Sequence, residues 1–219
     1  MENPSVDRAN DQNPPITAID ILLEPDQTMI GHAREANASL RASFPAGFAL
    51  DATHHPHVSI FAGFVPTADL PAVYAAAAGV LAKENYTTWE LKAFKYYYIP
   101  LGPMGLAGIV VEPTDDLLRL QQELIDAVGP FTVKTATAAA FYTTPEEPDI
   151  EPAVIAYIAS FADLTGKNFS PHVTIGIAER TFLDPMLAQP FNAFMFSPAS
   201  AAVYQFGNFG TARNKLKAF

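Results

Sequence analysis

The chain has no cysteine, so disulfides, thiolate metal sites and a cysteine nucleophile are excluded. Basic residues are scarce: 13 Lys and Arg stand against 23 Asp and Glu, a formal charge of −10 over 219 residues. A protein that grips long nucleic acid usually carries a basic stripe that neutralises phosphates. Here a long RNA is repelled on average, and a short ligand with one or two phosphates fits the balance better. Long apolar runs are also missing. The longest, near residues 73–82, is alanine-rich and too short to cross a bilayer. The first fifteen residues are rich in Asn, Asp and Pro, with no apolar stretch of the signal-peptide kind. They read as a disordered lead-in, with residues 16–219 forming one bilobal domain. A cytoplasmic monomer with no membrane attachment is the expectation.

Apolar residues make up 49% of the chain, enough for a sizeable core. Within that background one short pattern occurs twice. Pro56-His57-Val58-Ser59-Ile60 returns as Pro171-His172-Val173-Thr174-Ile175, with the only change an exchange of hydroxyl residues. Both copies read as strands, in which residues two apart share a face. His57 and Ser59 then project together, as do His172 and Thr174, while the branched apolar residues between them face a core. A single such histidine would be unremarkable, bonded to a carbonyl in a half-buried strand. A pair spaced by about half the chain suggests pseudo-symmetry, with two imidazoles and two hydroxyls converging on one groove. Alternation also puts Phe61 in phase with His57 and Ser59.

The duplicated His-x-Ser/Thr-x-apolar pattern resembles the 2H phosphoesterase superfamily, which includes cyclic nucleotide phosphodiesterases and 2′-5′ RNA ligase-like proteins. The resemblance runs from about Ile16 onward, and the segment Val203–Arg213 is similar to the closing strands of the bacterial branch. It implies a LigT-like α+β fold of two lobes, each a small antiparallel sheet backed by helices, around a central cleft. It implies His57 and His172 as the catalytic acid–base pair, Ser59 and Thr174 as phosphate binders, and no metal or other cofactor. The substrate class it implies is a small nucleotide with a cyclic phosphate or a short 2′-5′ linkage. RNA ligation or end processing, and a nucleotide-binding module without turnover, are the competing readings.

The remaining elements follow from periodicity. Residues 16–23 read as a strand. A helix begins at Pro25-Asp26 and runs to about Ser43, with Asn37 as a polar interruption of its apolar face. Thr67 is a candidate N-cap for a helix over 68–83. Residues 87–99 and 106–112 form a hairpin, and Pro113-Thr114-Asp115 opens a helix with the stripe Leu117, Leu120, Leu124 and Val128. Residues 131–152 are hard to read, with 138–143 as a candidate strand, and a helix is expected from 152 to 164. A short helical turn at Asp184-Pro185, strands over 191–197 and 201–206, and an edge strand after Thr211 complete the chain. The order strand, helix, motif strand, helix, strand thus occurs once on each side of Gly105.

Three further clusters carry possible chemistry. His54-His55-Pro56-His57 has the composition of a metal site but no carboxylate beside it in sequence. Tyr96, Tyr97, Tyr98, Phe61 and Tyr142 are candidates to stack on a base. Lys134, Lys167 and Arg213 are candidates to neutralise a second phosphate.

Overall fold

A computed structural model describes residues 14–219; the expected disordered lead-in lies almost wholly outside the described residues. The fold is α+β, with two four-stranded antiparallel sheets backed by helices, as the repeat predicts. Sheet A has the order β2-β1-β7-β8, built from β1 (Ile16–Pro25), β2 (Val58–Pro66), β7 (Pro198–Phe206) and β8 (Ala212–Ala218). Sheet B has the order β5-β4-β3-β6, built from β3 (Leu91–Leu101), β4 (Met104–Val111), β5 (His172–Glu179) and β6 (Phe194–Phe196). Each motif strand is therefore an edge strand, paired on one side to the strand that opens its repeat.

The lobes do not divide at Gly105. Sheet B takes β3 from before it, and sheet A recovers β7 and β8 from the C-terminal end. The reason lies in pairing. β3 and β4 are joined by the tight turn at Gly102, whose φ of 62° suits glycine. Hairpin partners cannot be parted into different sheets.

Three of the helices pack on the lobe opposite to the strand they follow. α1 (Gln27–Ser43) follows β1 in the chain yet packs on β5. α3 (Asp115–Val128) follows β4 yet packs on β2, beside α2 (Leu70–Leu81) and α4 (Pro152–Ala159). One continuous core results, joining Ile60 and Val58 of one motif strand to Ile175 and Val173 of the other. Caps define the helix starts. Asp26 accepts from the backbone N–H groups of Thr28 and Met29 at 3.0 and 3.2 Å, and Thr114 accepts from that of Leu117 at 3.2 Å. Thr67 caps nothing: its hydroxyl bonds that of Thr17 at 2.9 Å, and α2 begins only at Leu70 after a 3-10 turn.

Residues 131–152 contain no strand; Ala138–Ala140 is a 3-10 turn, and Val133 makes one isolated bridge to Phe64. The helix expected to reach 164 ends at Ala159, and the turn at Pro185 lies inside α5 (Arg180–Ala188). Among the described residues no helix is long and apolar enough to cross a membrane.

Candidate active site

β2 and β5 meet where the sheets converge, and each carries a β-bulge at the same point of its motif. On β2, Ser59 lies opposite Leu22 and Phe61 opposite Ile21, so Ile60 is the extra residue. On β5, Thr174 lies opposite Gly108 and Gly176 opposite Ala107, so Ile175 is the extra one. A bulge bends the strand and re-aims the side chains next to it. Here it also breaks the two-residue alternation. Phe61, in phase with His57 by sequence, is instead 1% exposed in the core and offers no face to a ligand. At the matching position Gly176 has a φ of 137° and leaves room for the Asn37 amide, which a Cβ would approach at 2.9 Å.

Asn37 is the residue that ties the motifs together. Buried on α1, it donates to the carbonyls of Ile175 at 2.8 Å and Phe48 at 3.0 Å, and accepts from the N–H of Leu50 at 3.0 Å. It pins the bulge of β5 to the segment that leads into β2. Its place as a polar residue on an otherwise apolar helix face was the signal.

Ser59, His172, Tyr157 and Ile99 line two adjoining cavities of about 230 and 130 Å³. Thr174, Leu106 and Glu151 line the smaller one, and Tyr97 and Phe169 the larger. Tyr97 reaches His172 edge-on, ring centroids 5.0 Å apart, by lying across Gly108, where a Cβ would stand 2.5 Å from its ring. A larger cavity of about 610 Å³ lies elsewhere, between α1, α5 and β6, and no motif residue lines it.

The two imidazoles are held differently. His172 bonds through Nδ1 to the Ser170 carbonyl at 2.8 Å. A carbonyl only accepts, so Nδ1 carries the hydrogen and Nε2 is the nitrogen left for the cleft. Burial pulls the ring's pKa below its ordinary value; the Ser170 carbonyl opposes this, and the charge on His57 adds to it. His57 bonds through Nδ1 to the His55 carbonyl at 2.7 Å, while Nε2 faces Asp20 Oδ2 at 3.2 Å. Nδ1 therefore carries a hydrogen toward the carbonyl, and the Asp20 carboxyl beside Nε2 favours the charged form of the ring. Burial opposes that charge, but the Asp20 carboxylate and the His55 carbonyl outweigh it and hold the pKa above its ordinary value.

Asp20 is the group that sequence reasoning missed. Its side chain is fully buried, and its Oδ2 also accepts from Ser59 Oγ at 2.7 Å. A lone acid inside the apolar strand ITAIDILL was the available signal, because a charge in a buried strand requires a partner.

The other candidates do not line the motif cavities. His54 is buried against Arg213, its Nε2 2.6 Å from Nη1, and burial together with that guanidinium pushes its pKa down to about 4. His55 lies against the Tyr204 ring. Arg213 is an ion-pair partner of Glu147 and stands over the ring of Tyr142, which is exposed and lines neither motif cavity. Lys134 and Lys167 are exposed. Tyr96 packs on Phe191 at the far cavity, and Tyr98 donates to Asp184 at 2.6 Å.

Among known protein families and curated protein sequences, none matches the chain. Solved structures do. TT0787 of Thermus thermophilus is similar with a TM-score of 0.54 at 16% identity, covering 93% of this chain and 97% of that one. E. coli LigT complexed with ATP gives 0.45 at 13% identity over 93% and 97% of the two chains. Usb1 of Kluyveromyces marxianus gives 0.41 at 10% over 92% and 97%. The likeness to TT0787 is one of fold: two antiparallel sheets with helices, over nearly the whole of both chains.

Proposed function

We propose that the protein is a 2H-type phosphoesterase that opens a cyclic phosphodiester on a small nucleotide, without a metal, using His172 as general base and His57 as general acid. The observation that carries this reading is the unlike setting of two imidazoles from twin motifs: His172 has Nε2 free and a pKa below its ordinary value, while His57 has Nε2 facing Asp20 and a pKa above it. General acid–base catalysis of a displacement needs one neutral and one charged ring at one pH. His172 Nε2 takes a proton from water, the water oxygen bonds to phosphorus, and the bond from phosphorus to one ribose oxygen breaks. That oxygen leaves with the proton from His57. The two rings then exchange protons with solvent to restore the starting state. Ser59 and Thr174 donate to the phosphoryl oxygens as negative charge gathers on them. A formal charge of −10 disfavours long RNA and leaves a small nucleotide as the better fit.

The test is a panel of 2′,3′-cyclic mononucleotides, ADP-ribose cyclic phosphate and short 2′-5′-linked oligonucleotides, with products resolved by phosphorus NMR. Ring opening of a cyclic phosphate is expected, unaffected by EDTA and lost in His172→Ala and His57→Ala. Chelator-sensitive turnover, or full activity in either variant, refutes the mechanism. Ligation or trimming of the oligonucleotides with no ring opening assigns RNA processing instead. Tight binding without product assigns a binding module.

A further inference from the structure

In the free protein both nitrogens of His57 are occupied, so the proposed acid has no proton to offer until one contact breaks. The bond from Nδ1 to the His55 carbonyl is the shorter, at 2.7 Å, and its acceptor is backbone. The contact from Nε2 to Asp20, at 3.2 Å, is longer and its acceptor is a side chain; of His57, Asp20 and Ser59, only Ser59 lines the motif cavities. Ser59 Oγ converges on the same carboxylate oxygen, Oδ2, at 2.7 Å. An imidazolium N–H and a hydroxyl aimed at one anionic oxygen is the arrangement that the proposed reaction requires around a phosphoryl oxygen. The other carboxylate oxygen, Oδ1, is buried with no hydrogen-bond partner, so Asp20 is held from one side only.

The fold does not require an acid here. Asp20 lies opposite Ala62, which follows the β2 bulge; the matching residue of the other repeat is Leu106, opposite Ile177 after the β5 bulge. Leu106 lines the open cavity beside His172 and Thr174. A leucine satisfies the strand on that side, and the carboxylate is peculiar to the half-site that holds the charged imidazole.

Resting on the phosphoesterase reading, we infer that Asp20 is a specificity-determining residue: it takes the place of a phosphoryl oxygen on His57 and Ser59 and filters ligands by their charge. A phosphodiester carries one negative charge and a phosphomonoester two near pH 8. Repulsion from a neighbouring carboxylate grows in proportion to the ligand's charge, and it is strong where water is excluded. The diester substrate displaces Asp20 at a moderate cost. The monoester product, once fully ionised, is driven out, and the carboxylate returns to the donor pair. Asp20 thereby favours product release and suppresses inhibition by phosphate.

The probes are inorganic phosphate, a dianion at pH 8, and dimethyl phosphate, a monoanion. Binding is followed through the His172 ring signals in wild type and Asp20→Asn, which keeps the shape and an acceptor oxygen but removes the charge. Because the substitution also lowers the pKa of His57, affinities are taken over a pH series and compared per fraction of His57 charged, read from its own ring signals; on that basis phosphate is expected to bind about tenfold tighter to Asp20→Asn, and dimethyl phosphate to gain clearly less. In wild type the Asp20 carboxyl carbon signal is expected to shift as phosphate saturates the site. Unchanged or weaker phosphate binding in Asp20→Asn, or equal gains for both anions, overturns the inference. Should that variant fail to fold, a stationary Asp20 carboxyl signal in saturated wild type overturns it alone. If neither anion perturbs His172 in either protein, the phosphoesterase reading itself falls and takes the filter with it. If His172 responds and Asp20 does not, only the filter falls.

Discussion

The two half-sites are built from one pattern and have opposite electrostatics. Each has a histidine whose Nδ1 is fixed by the carbonyl two residues earlier, a hydroxyl residue two places on, and a bulge at the following isoleucine. They differ in what the neighbouring strands bring. Beside His57 stands Asp20; beside His172 stand Gly108, Tyr97 and Leu106. The first set buries a carboxylate that raises the pKa of the imidazole. The second is apolar and aromatic, and burial there lowers the pKa of the imidazole. Backbone repetition set the geometry twice, and divergence of the neighbours divided the chemistry.

The largest expected effect tests that division directly. Removing either imidazole should lower the single-turnover rate on a 2′,3′-cyclic nucleotide by about 10²–10⁴-fold. Added imidazole should restore part of the rate to His172→Ala, whose ring lines open cavities, and none to His57→Ala, whose ring is 6% exposed. Equal rescue of both would erase the distinction between the sites. Next come the hydroxyls. Thr174→Val should cost about 10²–10³ in kcat by analogy with the loss of an oxyanion donor. Ser59→Ala should cost less, because its hydroxyl also holds Asp20 in place and its removal loosens that competitor. A larger loss at Ser59 would invert the assignment.

Asn37→Ala should destabilise the fold by about 3 kcal/mol, since three buried backbone groups lose their partner. Denaturant unfolding measures it, and a change below about 1 kcal/mol would mean that other groups hold the β5 bulge. The smallest effect is in the shape of the pH profile. His172 is held below its ordinary value and stays neutral as pH falls beneath 6.5; His57 is held above and stays charged as pH rises past it. Activity should therefore be bell-shaped with a broad plateau, its acid limb below that value and its alkaline limb above, both macroscopic properties of the pair. In Asp20→Asn the alkaline limb should move to lower pH, because the main group raising His57 has lost its charge. An alkaline limb that stays in place would detach Asp20 from the acid.

Much of this was legible beforehand, and the parts that were not have identifiable causes. The motif strands, the hairpin, and the helices opened by Asp26 and Thr114 follow from local periodicity and capping, which depend on near neighbours alone. Phe61 was misplaced because a bulge shifts phase without leaving a mark in the pattern of residue types. Residues 131–152 resisted because, beyond local turns, their course is set by long-range contacts: the bridge from Val133 to Phe64 and the bonds of Ala140 and Tyr142 to β7. The order of elements repeats across Gly105 as read, yet sheet membership does not follow it, because pairing is set across the whole chain.

From its residues alone the protein was bound to have two equivalent strands, each presenting an imidazole and a hydroxyl, since that depends only on a repeated local pattern. Tertiary structure decided which imidazole has the raised pKa. That choice rests on a carboxylate delivered by an adjacent strand into a buried space, where one charge at 3.2 Å outweighs every similarity between the two motifs.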